Sequence, residues 1–303
     1  MNIAREIIPW TDEAAWRIAR SKDITSTSVS ALFGLSPYLT KFELWHRLNG
    51  DAVVLDDFAD NERMRWGKRL QDTIAYGIAE DKCWSICRLD HYIRLPGLRV
   101  GSSFDYCERN EVPTYLVEAK NVDSLAFKDG WAETEFGLEA PSHIELQAQH
   151  QMLVSGIENC FIVALVGGNR HYVLERHYDE AVGTRILEEC EAFWKSDEPE
   201  PTFPGDNEFI ARLYRYSEPG KVVDADTETA DLLREHDELG STIRSLQDNR
   251  ETLKARILLR IGDAAQVYTD GLRLNCEERG DVLVKEHMRK GFRNFRIYPR
   301  SSK

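Results

Sequence analysis

Apolar residues recur at helical spacing through the first third of the chain. Residues 10–20 (WTDEAAWRIAR) read as a helix, and the Ser/Thr-rich stretch from Asp23 to Ser30 reads as a turn capping a second, SVSALFGL. Ser36-Pro37 breaks that helix, KFELWHRLNG reads as a third, and Asn49-Gly50 ends it. From Asn61 a longer helix follows, in which Trp66, Leu70, Ile74 and Ile78 fall four apart and form one apolar stripe. The period then changes from helical to alternating. HYIRL (91–95), RVGSSFDY (99–106) and TYLVEAK (114–120) read as strands, with Asn110 and Pro113 punctuating the turn between the last two. A helix over HIELQAQHQMLVSG precedes a buried strand, CFIVALVGG, then a strand HYVLERHY and a helix AVGTRILEECEAFWKS.

The pattern changes again after EPEPTFPGDN, which reads as a linker or surface crossing. Beyond it Leu232, Leu239, Leu246 and Leu253 lie seven apart, with Ile243 and Ile257 completing a heptad seam. His236 and Arg250 occupy the remaining seam positions, which favours a helix packed on its own body over a long independent coiled coil. QVYTDGLRLNCEE carries an Asp-Gly hairpin pattern. Strands interleaved with helices define an α/β core over 1–205, followed by a helical extension with a terminal β-hairpin over 206–303.

Composition narrows the class. The chain has 303 residues, 42% of them hydrophobic and 30% charged, as in a globular protein able to bury a sizeable core. No apolar run approaches the roughly 18 residues of a membrane span, and the first residues, MNIAREIIPWTDEAAW, do not read as a secretory signal. Six scattered cysteines fit reduced cytosolic thiols, so a cytoplasmic location is expected; Cys83 and Cys87 alone are too few to hold a metal. A net charge of −13 argues against a generic nucleic-acid coat. The sign is uneven, however. Arg63, Arg65, Lys68 and Arg69 cluster in NERMRWGKR, and residues 284–303 are strongly basic, so a positive groove on an acidic body is allowed.

Candidate chemistry lies in GSSFDY and YLVEAK. Glu118 and Lys120, two apart on a strand, project to the same face, and Asp105 at the end of the preceding strand can converge on them. Two carboxylates suit Mg²⁺, a hard cation that prefers oxygen, and an adjacent ammonium can orient a water and stabilise charge at a phosphate. In isolation such residues more often form a solvated face with an ion pair.

Their context is more specific. The order helix, D…ExK hairpin, glutamine-bearing helix resembles the PD-(D/E)XK nuclease superfamily. More narrowly, residues 16–193 resemble the YqaJ-like viral recombinase family, which includes lambda-type exonuclease. The resemblance is carried by GLSPYLTKFELW, RMRWGKRLQD, GSSFDY, LVEAK and PSHIELQAQHQ.

It implies a restriction-endonuclease-like core with a mixed, mainly antiparallel central sheet flanked by helices. It also implies that Asp105, Glu118 and the Ala119 carbonyl hold two Mg²⁺ ions, with Mn²⁺ able to substitute, and that Lys120 positions the attacking water. Gln149 matches the family's active-site glutamine, with Gln147 and Gln151 leaving the register open. Arg20 and Thr27 match the positions that hold the 5′-phosphate of duplex DNA; alone they read as a surface arginine and a capping threonine. The implied activity is 5′-to-3′ digestion of linear duplex DNA in a bacterial or phage-infected cell, leaving 3′ tails for a single-strand annealing protein. A ring-shaped homo-oligomer, with three subunits as the candidate number, is implied as well.

One position departs from the family. Gln71 stands where a glutamate is usual; its amide oxygen can still serve as a metal ligand but brings no charge, which leaves three readings open: a tolerated change, replacement by Asp72 or Glu62, or loss of catalysis. A structure-specific endonuclease on the same core is one alternative, and Gln71 adds a second, a catalytically weakened DNA-end-binding adaptor. An iron–sulfur nuclease is disfavoured, because the cysteines form no late cluster.

Overall fold

The computed structural model describes residues 3–9, 12–49, 62–135, 137–269 and 271–276. Trp10, Gly50, Asn61, Asp270 and the basic stretch at 284–303 lie outside the described residues. The chain forms two compact units, residues 1–213 and 214–303.

The first unit opens with β1 (Glu6–Pro9) and α1 (Glu13–Arg20), whose first turn is capped by Asp12 accepting from the Ala15 N–H at 2.8 Å. The stretch read as a turn contains a short buried strand, β2 (Ile24–Thr25), before α2 (Val29–Leu32) and α3 (Lys41–Leu48). Two residues give no periodicity, which is why β2 escapes a pattern search. α4 (Glu62–Lys82) follows, and Ile74 and Ile78 of its stripe are buried. Trp66, expected on the same stripe, is 48% exposed instead. It lies in the first turns of α4, whose residues 62–66 are all exposed.

β3 (Ile86–Arg88) and β4 (His91–Leu95) lead into the segment read as one strand, which is two: β5 (Val100–Ser102) and β6 (Tyr106–Glu108). Ser103 to Asp105 carry the chain from one sheet to the other. β5 pairs with β4 and β2 in a four-stranded sheet of order β1-β4-β5-β2. β6 pairs with β3 and with β7 (Tyr115–Val122). After α5 (Ser124–Gly130) and a small hairpin of β8 (Ala132–Thr134) and β9 (Gly137–Glu139) comes α6 (Ser142–Ser155). Gly156 ends α6 at φ 79°, a conformation open to glycine, and an added Cβ there would meet the Arg5 guanidinium at 2.8 Å.

β10 (Asn159–Val166) runs parallel to β7 and antiparallel to β11 (Arg170–His177), completing a sheet of order β11-β10-β7-β6-β3. The expected mixed, mainly antiparallel sheet flanked by helices is therefore present. α4 covers one face, where Ile74, Ala75 and Ile78 pack with Val117 and Val163. α6 and α7 (Glu180–Lys195) cover the other, with Ala148, Met152 and Ile186 against Leu116 and Ile162. α8 (Asn207–Leu213) closes the unit by stacking Phe209 edge-on against Phe42.

His150 of α6 is fully buried, and neither ring nitrogen has a well-formed hydrogen bond. Burial pushes the imidazole down to about 3, with the Ile24 backbone opposing weakly. The folded pKa lies below the unfolded value of about 6.5. The stabilising effect of a neutral His150 is thus present above pH 6.5 and lost as pH falls, at about 1.4 kcal/mol per pH unit. Between pH 7 and pH 5 this group is expected to remove roughly 2 kcal/mol of stability. Denaturant unfolding at both pH values should show His150→Leu losing that much less than the unmodified protein; equal slopes would contradict it.

The second unit holds α9 (Thr227–Ile261) and a hairpin of β12 (Gln266–Thr269) and β13 (Leu272–Asn275). Asp226 caps α9 by accepting from the Thr229 N–H at 2.8 Å. The seam expected to be packed is exposed: no residue of α9 is buried. No helix among the described residues is long and apolar enough to cross a membrane.

Candidate active site

Strand alternation puts Leu116, Glu118 and Lys120 on the α6 face of β7, while Val117 faces α4. Leu116 joins the core, so the two charged residues after it meet polar groups from α6. Glu118 is 4% exposed. Its Oε1 accepts from the Lys120 Nζ at 2.7 Å and the Gln147 Nε2 at 2.6 Å, and its Oε2 accepts from the Gln151 Nε2 at 2.7 Å. Lys120 also donates to the Gln147 Oε1 at 2.8 Å, closing a triangle of three side chains. Burial opposes the ammonium charge, but Glu118 and then Asp105 outweigh it and hold Lys120 above its ordinary pKa. Its Nζ faces the site as a donor.

Asp105 sits in the bend between sheets, immediately before β6. Its Oδ2 accepts from the Ala119 N–H at 3.0 Å, which anchors the carboxylate to β7. Burial and the neighbouring Glu118 push Asp105 up to about 7, against the pull of Lys120, the Ala119 N–H and the Gln71 amide. Two carboxylates held this close, one protonated near neutrality, form a donor set that a divalent cation would relieve. Asp105, Glu118 and the Ala119 carbonyl thus fit the hard cation expected there. No group of three His, Cys, Asp or Glu able to hold a metal occurs among the described residues.

Gln71 reaches the site from α4 and donates to Asp105. Neither substitute for the missing glutamate takes its place. Asp72 Oδ1 accepts from the Tyr106 hydroxyl at 2.5 Å and from Arg88 at 2.7 Å, and these partners hold its pKa low. Glu62 is exposed, about 13 Å up the helix axis from Gln71.

The helix register corrects one assignment. Gln149 points away from Glu118: its Nε2 donates to the His177 carbonyl at 2.8 Å and its Oε1 accepts from the Asp179 N–H at 2.9 Å. Its neighbours Gln147 and Gln151, one helical turn apart on the opposite side, face the carboxylate. Gln149 therefore holds the turn into α7, and the site has two glutamines.

Arg20 and Thr27 are brought together, the Arg20 Nη2 donating to the Thr27 Oγ1 at 2.9 Å. The guanidinium lies 4.3 Å from the Trp16 ring centre, and burial holds its pKa below the ordinary value. The Trp16 Nε1 donates to the Ser103 Oγ at 2.7 Å, and the Ser103 carbonyl accepts from Gln151 at 3.3 Å. A continuous set of contacts thus links the Arg20–Thr27 pair to Glu118. Ser103 was missed in the sequence; its place two residues before Asp105, in the sheet-switching bend, is the feature that could have marked it. On α4 the basic cluster is partly neutralised, Lys68 pairing with Glu13 at 2.9 Å. Cys83 is exposed, while Cys87 faces Cys107 across the β3–β6 pair with sulfurs 3.9 Å apart.

Residues 15–158 match the family described as the YqaJ-like viral recombinase domain, which is the resemblance carried by the motifs. The chain is 23% identical over 258 residues to the uncharacterized protein YqaJ of Bacillus subtilis (strain 168), covering 82% of this chain and 78% of that one. Among solved structures it is similar to the alkaline exonuclease LHK-Exo of Laribacter hongkongensis, at 19% identity and a TM-score of 0.47 over 60% of this chain and 90% of that one. It is also similar to a phage related exonuclease of Haemophilus somnus 129PT, at 10% identity and a TM-score of 0.42 over 63% of this chain and 96% of that one.

Proposed function

We propose that the protein is a divalent-metal-dependent exodeoxyribonuclease that digests linear duplex DNA from its ends. The observation that carries this reading is the buried Glu118–Lys120 pair beside Asp105, braced by Gln147 and Gln151. Mg²⁺ ions, or Mn²⁺ in their place, held by Asp105, Glu118 and the Ala119 carbonyl would supply Lewis-acid stabilisation of phosphate charge. Lys120, kept protonated by its neighbours, donates to the attacking water and to charge developing on the scissile phosphate. The glutamine amides hold Glu118 in one rotamer, so the carboxylate is preorganised. The Arg20–Thr27 pair supplies donors for a terminal 5′-phosphate, which favours 5′-to-3′ polarity and 3′ tails suited to a single-strand annealing partner. A ring-shaped oligomer enclosing DNA would keep an acidic chain on its substrate.

The end pocket has its own test. Duplexes with 5′-phosphate ends are expected to be digested faster than those with 5′-hydroxyl ends, and Arg20→Ala should erase the difference. Equal rates with the unmodified protein would remove the pocket from the account.

Gln71 supports a second reading, a DNA-end-binding adaptor, because its amide replaces a charge near the metal ligands. Restoring the carboxylate separates the two. Gln71→Glu is expected to lower thermal stability without metal, through a third acid beside Asp105 and Glu118, and to lower the Mg²⁺ concentration giving half-maximal activity. If neither quantity moves, Gln71 does not face the metal. Tight DNA binding with no hydrolysis by either protein, in Mg²⁺ or Mn²⁺, would favour the adaptor.

A further inference from the structure

The second unit presents an uncovered apolar seam. α9 is 35 residues long, about 52 Å, and has no buried residue. Leu232, Leu239, Ile243, Leu246, Leu253 and Ile257 are each between 46% and 62% exposed. Most helical stability in proteins comes from packing an amphipathic face, and an exposed stripe of this length marks an interaction surface.

The polar residues in the seam decide what can cover it. A parallel pairing of two copies in register would set His236 against His236 and, worse, Arg250 against Arg250, two like charges in the apolar layer sequence. An antiparallel pairing sets unlike residues together. With the twofold axis between Arg244 and Ser245, Leu232 meets the partner's Ile257 and Ile243 meets the partner's Leu246. Leu239 covers the stem of the partner's Arg250, and Leu253 covers the partner's His236. Each layer occurs twice by symmetry, and all six apolar residues are used. A shift by one heptad in either direction leaves Leu232 or Ile257 beyond the end of the partner helix.

The flanking charges agree with the same register. Glu235 and Arg256 flank the seam at opposite ends of the helix, and neither has an ion-pair partner among the described residues. In the antiparallel arrangement Glu235 meets the partner's Arg256 twice, and Thr242 meets the partner's Asn249. In a parallel pair Glu235 and Arg256 are three heptads apart, about 31 Å along the axis, and never meet. We propose that α9 pairs antiparallel with α9 of a second copy of this chain.

Sedimentation of the full-length protein tests this through three variants, none near the nuclease residues. Leu246→Asp replaces an exposed residue, so helix content should hold while the particle mass halves, whatever else the first unit assembles into. Glu235→Arg and Arg256→Glu, each alone, place like charges together at both ends and should weaken association about tenfold. An equal mixture of those two variants restores opposite charges at both ends of a mixed pair and should recover the unmodified mass. An unmodified protein whose mass Leu246→Asp leaves unchanged overturns the proposal. So does a mixture that associates no better than its separate components, which would mean that another partner or a parallel pair covers the seam.

Discussion

Glu118→Gln is expected to abolish metal-dependent DNA hydrolysis, the largest effect of any single substitution in this chain. The change keeps the volume and both neighbouring glutamines but removes the charge that faces Lys120 at 2.7 Å. Asp105 then remains as the sole carboxylate of the expected metal set, and a neutral amide oxygen replaces the second. Lys120 loses the counterion that most strongly opposes its desolvation. Breaking a buried pair from one side costs on the order of 3–5 kcal/mol, with the low end expected here because Gln147 still accepts from Lys120 and the ammonium is partly exposed. Melting curves with and without Mg²⁺ check the metal half of the argument: the unmodified protein should be stabilised by the ion and Glu118→Gln should not. A variant that hydrolyses DNA at near-normal rate would remove Glu118 from the site.

Lys120→Ala should separate binding from chemistry. Glu118 keeps its two amide donors from Gln147 and Gln151, and Asp105 keeps the Ala119 N–H, so the oxygen set for a metal survives. The donor aimed at the water and the phosphate is gone. Rate is expected to fall at least about a hundredfold, the scale of deleting one transition-state donor, while stabilisation by Mg²⁺ is retained. Titration of metal by thermal shift together with single-turnover hydrolysis distinguishes the two. Near-normal turnover would show that Lys120 is a structural partner of Glu118 only.

The strand carrying Glu118 and Lys120 was legible because two-residue alternation alone puts them on one face. The apolar run of β10 after Asn159 was legible because both its faces are covered, by α4 and by α6. The sheet switch at Ser103 to Asp105 was not. Its residues continue an alternating run, and only pairing with two different sheets divides β5 from β6. That switch is also why Asp105 approaches Glu118 from a bend. The glutamine register stayed open for a related reason: Gln147, Gln149 and Gln151 alternate, so composition cannot say which side of α6 faces the sheet, and packing of Ala148 and Met152 settles it. The exposed seam of α9 shows the converse limit, since a heptad identifies an interface without naming what covers it.

End-dependent hydrolysis is tested by incubating linear duplex DNA labelled at its 5′ ends, and a closed circle of the same sequence, with the full-length protein and Mg²⁺. Progressive loss of label from the linear duplex as small products is expected, with the circle left intact. Linear DNA that stays whole in both Mg²⁺ and Mn²⁺, or a circle cut as fast as the linear form, would contradict it.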